Sequence, residues 1–222
     1  TAGADYKILV NHLSTQLSDI PISEIEGAKA NLHIAYQHTS HGSQLISGMN
    51  ALENYVTFGD TYEWSDNGSS GLDLDDYGIP AAYPDLSQGD RIDENGVTPW
   101  VTGTRALLND SANDHVNVIM WSWCSIAGHD IDRYLTNMEI LISEYGEGGS
   151  NPRAAINPVT FVFMTGHAEG GGEGDSSDSR NELIRQHCYD NERVLFDFAD
   201  IENYDPNGLY YLDKRITDDL DY

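Results

Sequence analysis

Basic residues are scarce. The 222-residue chain carries 11 Lys and Arg against 37 Asp and Glu, a formal net charge of -26. Such a field repels phosphate backbones and anionic lipid head groups alike, which excludes nucleic-acid binding as a function class. Cysteine is scarcer still, with only Cys124 and Cys188. Two cysteines make neither a disulfide framework nor a thiolate zinc site, and they are read either as one bridge in an oxidising compartment or as two buried thiols. No apolar run approaches the roughly 20 residues that a membrane-spanning helix needs. Thr1-Ala2-Gly3 does not read as a signal peptide, so the expectation is a soluble chain, mature or trimmed. Without a CxxC, a CxxCH or a Walker-type glycine loop, thioredoxin-like, c-type haem and P-loop chemistry also drop out.

What is present is enough to build one sizeable domain, since 39% of the residues are hydrophobic. Four short apolar runs stand out, at residues 32–36, 116–123, 159–164 and 194–198. Each is continuous rather than alternating, as expected of strands buried on both faces of a parallel sheet. Helical patterns lie between them. Ser23-Glu24-Ile25-Glu26 and Ser179-Arg180-Asn181-Glu182 have capping-box spacing. Residues 44–56 and 130–145 repeat apolar side chains at helical intervals. Right-handed crossovers then predict a three-layer α/β/α domain spanning residues 1–222, with a central, mainly parallel, flavodoxin-like sheet. A Gly-, Asp- and Tyr-rich stretch at 57–99 breaks the rhythm and reads as a long insertion, the kind of segment that carries substrate contacts.

Open parallel sheets bind ligands outside the carboxyl ends of their strands. The first run is followed by Gln37-His38-Thr39-Ser40-His41-Gly42-Ser43, the second ends in Trp121-Ser122-Trp123-Cys124-Ser125, the third leads into Thr165-Gly166-His167-Ala168-Glu169, and Asp200 follows the fourth. Taken singly, a serine after a strand is a cap or turn residue and a histidine is a satisfied structural one. Two imidazoles and three hydroxyls within seven residues at the expected active edge are costly to place without a use, and the four strand ends define one candidate cleft.

These residues resemble the SGNH or GDSL-type hydrolases, whose nucleophilic serine follows the first strand and opens a helix. The fit is to divergent relatives with a His-rich HxSxG turn, here His38-Thr39-Ser40-His41-Gly42, and it extends through the strand ends at Cys124 and Thr165, the helix near Asn181 and the run 194–198. The resemblance implies an SGNH-like fold and an extracellular serine esterase or deacetylase acting on an acylated carbohydrate or small acylated substrate, with no cofactor needed for the chemistry. Ser40 falls at the nucleophile position. The N–H groups of Ser40 and Gly42 are then expected at the oxyanion, with Asn181 as a further donor, Ser122 and Cys124 lining the cleft, and His38 and His41 as further catalytic candidates beside the nucleophile. Two departures stand out: the 122–125 stretch has no Asn, and no Asp-x-x-His follows the last run. The base is therefore expected either from a segment beyond Tyr222 or, within the chain, from His167. Trp64, Trp100, Trp121 and Trp123, with the tyrosines of the 57–99 stretch, are expected to offer flat faces for sugar rings.

Two further readings compete. His38, His41, His129 and His167 could converge on zinc or copper, with Asp130 or Glu169. Alternatively, the acidic runs at 73–76, 205–208 and 213–221 and the Gly-rich run at 170–175 supply hard oxygen ligands for a structural Ca2+ in a non-catalytic surface or binding module, although none has EF-hand spacing.

Overall fold

The computed structural model describes residues 5–80, 85–88, 90–93, 96–169 and 171–211. Among these, seven strands form one parallel sheet: β1 (Ile8–Val10), β2 (His33–Gln37), β3 (Trp64–Ser65), β4 (Leu72–Asp76), β5 (Val118–Trp121), β6 (Thr160–Met164) and β7 (Val194–Phe196), in the spatial order β1-β7-β6-β5-β2-β4-β3. Every pairing between neighbours is parallel. The helices are α1 (Ile22–Asn31), α2 (Ser43–Glu53), α3 (Pro99–Leu108), α4 (Ile131–Tyr145), α5 (Ser176–Asp190) and α6 (Phe198–Glu202). This is a three-layer α/β/α, flavodoxin-like arrangement, and the four apolar runs are its four adjacent strands β7, β6, β5 and β2.

Chain direction separates the helices. Right-handed crossovers put α1 and α2, which carry the chain toward the β3 edge, on one face, and α3, α4 and α5, which carry it back, on the other. Accordingly, α4 packs against both α3 and α5. The main core lies on that second face, where Ile119, Trp121, Phe161, Phe163 and Leu195 of the strands meet Trp100, Leu135, Met138, Leu141 and Ile184 of the helices. Helices α3, α4 and α5 each contain fully buried side chains, whereas α1 and α2 contain none.

Several boundaries differ from the sequence expectation, each for a local reason. The last run stops at Phe196 because Asp197 accepts the Asp200 N–H at 3.2 Å and turns the chain into α6. Helix α5 opens at Ser176 rather than Ser179: Asp175 accepts the N–H groups of Ser177 and Asp178, both at 2.8 Å, so a carboxylate displaces the Ser179–Glu182 box as the cap. Helix α1 starts behind Pro21 with no side-chain cap, and α2 stops at Glu53. Asp130 does cap α4, accepting the Arg133 N–H at 3.0 Å. The 57–99 stretch is more than a loop. It supplies β3 and β4 and leads into α3, and the acidic strand β4 is anchored on β2 by His33 Nδ1, 2.6 Å from Asp73. Cys124 and Cys188 are free thiols, so of the two readings the unbridged one holds. Part of the Gly-rich run, Gly170, and the acidic run 213–221 lie outside the described residues.

Candidate functional site

Strand β2 delivers Ser40 to the carboxyl edge at the start of a 3-10 turn (Ser40–Gly42) that runs directly into α2. Ser40 has φ +42°, one of three non-glycine residues in the left-handed region among the described residues. An L-residue pays roughly 1–2 kcal/mol for that conformation, so the surrounding turn must hold it there. The Gly42 N–H donates to Thr39 O at 2.9 Å, and the Ser43 hydroxyl donates to Ser40 O at 2.6 Å. The Ser40 side chain is exposed, and its hydroxyl has no hydrogen-bond partner among the described residues. Gly42 is required sterically: a Cβ there would stand closer than 3.0 Å to Ser122 Oγ, His38 Cβ and Tyr36 Oη.

Two imidazoles gather on the β5 side of this turn. His41 Nδ1 donates to the Cys124 carbonyl at 3.0 Å, and its ring stacks on His167 with centroids 3.6 Å apart and planes 18° from parallel. His167, only 4% exposed, directs Nδ1 at Ala168 O, 3.0 Å away. A carbonyl oxygen only accepts, so in each neutral ring the proton sits on Nδ1 and the lone pair on Nε2. His167 Nε2 is also 3.6 Å from Glu169 Oε1. Glu169 is itself fixed by the hydroxyls of Ser125, at 2.5 Å, and Ser177, at 2.6 Å.

His38 turns the other way, toward β4. It is buried at 1% exposure, its Nε2 donates to Asp76 at 2.7 Å, and its ring lies between Tyr36 and Tyr77 at centroid distances of 4.8 and 4.5 Å. Its Nδ1 is buried without a hydrogen-bond partner in the described structure. Ser122 lies beneath the turn beside Tyr36. Burial pushes the Tyr36 phenol well above its ordinary value, and its hydroxyl donates to Gly42 O at 2.9 Å. The structure thus brings Ser40, His41, Cys124 and His167 together at the ends of β2, β5 and β6, while His38 backs the turn from the β4 side.

Four expectations change. The Gly42 N–H is spent on Thr39 O and is not free for an oxyanion. Asn181 is buried with its Oδ1 accepting the Gly166 N–H at 2.8 Å, so it props the β6 turn. The four-histidine metal arrangement is not assembled: His38 pairs with Asp76 and His129 with Asp90 at 2.7 Å, and no group of three or more His, Cys, Asp or Glu among the described residues could hold a metal ion. Trp100, Trp121 and Trp123 are core residues rather than sugar platforms. The indole N–H of Trp121 donates to Thr104 and that of Trp123 to Met164 O, both at 3.0 Å. The exposed aromatic at this edge is Tyr77, 54% exposed, at the carboxyl end of β4.

One further group has no signature in the sequence. Asp85, Leu86 and Ser87, from the 57–99 stretch, reach into the site. Asp85 is fully buried and accepts the Thr39 hydroxyl and, at 2.8 Å, the Ser87 N–H. The Leu86 N–H donates to Ser122 O at 3.0 Å, and Ser87 Oγ accepts the N–H groups of Cys124 and Ser125 at 2.8 and 2.9 Å. Only the run of turn-forming residues was legible; the partners lie roughly 40 residues away along the chain.

No family model, curated protein or solved structure matches this chain.

Proposed function

We propose that this protein is an SGNH-like serine hydrolase, an extracellular esterase or deacetylase acting on an acylated carbohydrate, with Ser40 as nucleophile and His167 as general base. The observation that carries the reading is the left-handed backbone of Ser40 on a tight strand-to-helix turn at the carboxyl edge of the sheet. Strain of this kind at an exposed serine points to a role that needs the hydroxyl projected outward.

In this reading the Ser40 hydroxyl oxygen attacks the acyl carbonyl carbon while its proton passes to His167 Nε2. The tetrahedral intermediate collapses as the carbon–oxygen bond to the sugar breaks, and the imidazolium returns its proton to the leaving oxygen. Water then enters by the same route, releasing the free acid and restoring Ser40. The nitrogen that gains the proton faces Glu169, which favours the transient positive charge. His41, stacked on the ring, limits its rotation. Tyr77 offers the sugar a flat apolar face, and the chemistry runs on protein side chains alone.

Labelling with a fluorophosphonate probe followed by peptide mapping tests this. The label is expected on Ser40 and absent from Ser40→Ala. For His167→Ala, hydrolysis of a chromogenic acetyl ester is expected to fall by about 10²- to 10⁴-fold, with His41→Ala less affected. Labelling elsewhere, or none, would remove the nucleophile from the proposal.

A further inference from the structure

We propose that Ser87 supplies the side-chain donor of the oxyanion-binding site, its hydroxyl proton aimed at the developing charge on the substrate; this rests on the hydrolase reading above. A serine hydroxyl has two lone pairs and one proton. Both lone pairs of Ser87 Oγ are taken by consecutive amides, Cys124 N–H at 2.8 Å and Ser125 N–H at 2.9 Å. The proton is what remains, and it has no acceptor among the described residues. Two amide dipoles converging on the oxygen also polarise the O–H bond, making it a stronger donor than an isolated hydroxyl.

The position is fixed on both sides of the nucleophile. Asp85, two residues before Ser87, accepts from Thr39, the residue before Ser40. Cys124, whose N–H holds Ser87, presents its carbonyl to His41, the residue after Ser40. Asp85 is fully buried and Leu86 is 1% exposed, so the segment is held before substrate arrives, and Ser87 is only half-buried. A donor that needs no reorganisation at the moment of reaction is what stabilises an oxyanion best. The need for one is also plain, because the Gly42 N–H is committed to Thr39 O.

The test compares the full chain with Ser87→Ala and Ser87→Thr, reading kcat and KM on a chromogenic acetyl ester, inhibition by a trifluoromethyl ketone, and thermal midpoint. For Ser87→Ala, kcat is expected to fall about 10²-fold with KM little changed, and the ketone, which binds as an oxyanion adduct, to weaken by a similar factor. Ser87→Thr, which keeps the hydroxyl, should recover most of kcat. If Ser87→Ala does not fold, Ser87→Cys, with its weak S–H donor, is expected to show the same selective loss of kcat. A kcat in the alanine variant within about threefold of wild type, or an equal loss in the threonine variant, would overturn the assignment of Ser87 while leaving the hydrolase standing. A wild-type chain that neither labels at Ser40 nor turns over ester would instead overturn the hydrolase reading, and this assignment with it.

Discussion

Replacing Gly42 by Ala would put a single methyl group beneath the Ser40 turn. The backbone there, φ -58° and ψ -24°, suits any L-residue, so conformational entropy alone favours alanine by about 0.4–1 kcal/mol. Space decides against it. The new Cβ would stand closer than 3.0 Å to three atoms. Ser122 Oγ can rotate away, but His38 Cβ is one bond from the backbone of a residue clamped between Tyr36 and Tyr77 and tied to Asp76. Overpacking of this kind costs about 1–3 kcal/mol, leaving a net destabilisation of about 1–2 kcal/mol. For a domain of this size that lowers the thermal midpoint by roughly 2–8 °C. The push falls on the residues preceding Ser40, and a displacement of about 1 Å at a nucleophile costs on the order of 10²-fold in rate. Urea unfolding followed by circular dichroism and the rate of fluorophosphonate labelling measure the two effects. Ser122→Ala in the same chain should recover part of the stability, since it removes one of the three contacts. An unchanged midpoint together with an unchanged labelling rate in Gly42→Ala would refute the steric reasoning.

Three other expectations follow from the same geometry. Burial pushes the Cys188 thiol up to about 12, so an aromatic disulfide reagent should titrate one thiol, Cys124, in the native protein and two after denaturation; two fast thiols in the native state would contradict the burial of Cys188. Burial alone would raise the Glu139 carboxyl, but hydrogen bonds from Arg193 and His187 outweigh it and hold it below its ordinary value. A depressed folded value gives stability that is present above the unfolded pKa of about 4.3 and lost as pH falls through the folded one, so the stability gap between wild type and Glu139→Gln should close below about pH 4, and a gap constant from pH 7 to pH 3 would defeat the assignment. The net charge of -26 and the Asp75 carboxyl, pushed upward by burial and by Asp73 and Asp66, both predict a thermal midpoint that rises with NaCl, as the screening length shrinks from about 8 Å at 0.15 M to about 3 Å at 1 M; no rise, or a much larger one with CaCl2 at matched ionic strength, would speak against simple screening.

The four central strands were legible because burial on both faces leaves a continuous apolar run, and α4 was legible because its stripe and its Asp130 cap agree. The edge strands were not. Strand β1 has three residues and β3 two, too short for any periodicity, and β4 reads Leu-Asp-Leu-Asp-Asp, whose charges find partners on His33 and His38 rather than in a core. Helix α3 carries its own signal, Pro99 at its first position and Val101, Thr104, Leu107 and Leu108 at helical spacing, at the end of a stretch whose Gly, Asp and Tyr content otherwise reads as loop. At the site, strand ends located Ser40, His41, Cys124 and His167, because topology alone brings those ends together. They could not reveal that Gly42 N–H is spent, that His38 turns toward β4, or that Ser87 sits on two amides, since each depends on a partner distant in sequence or on the conformation of one turn. The tryptophans misled for a related reason: an indole whose N–H finds an internal acceptor packs as well as any core side chain.

The unequal helix layers bear on how the protein breathes. With no fully buried side chain in α1 or α2, those helices have the least to lose by detaching, whereas α3, α4 and α5 release their core contacts only when the whole domain unfolds. Amide hydrogen exchange is therefore expected to fall into two classes, with α1 and α2 exchanging through partial openings and β5, β6 and α4 only through global unfolding. Ser40 lies on the seam between them: α2 begins three residues after it, in the yielding part, while His41 is fastened to Cys124 in the resistant part. The Ser40 turn thus has one end moored and the other free to move, and a ligand bound at it is expected to slow exchange in α2 without altering the rest of the sheet.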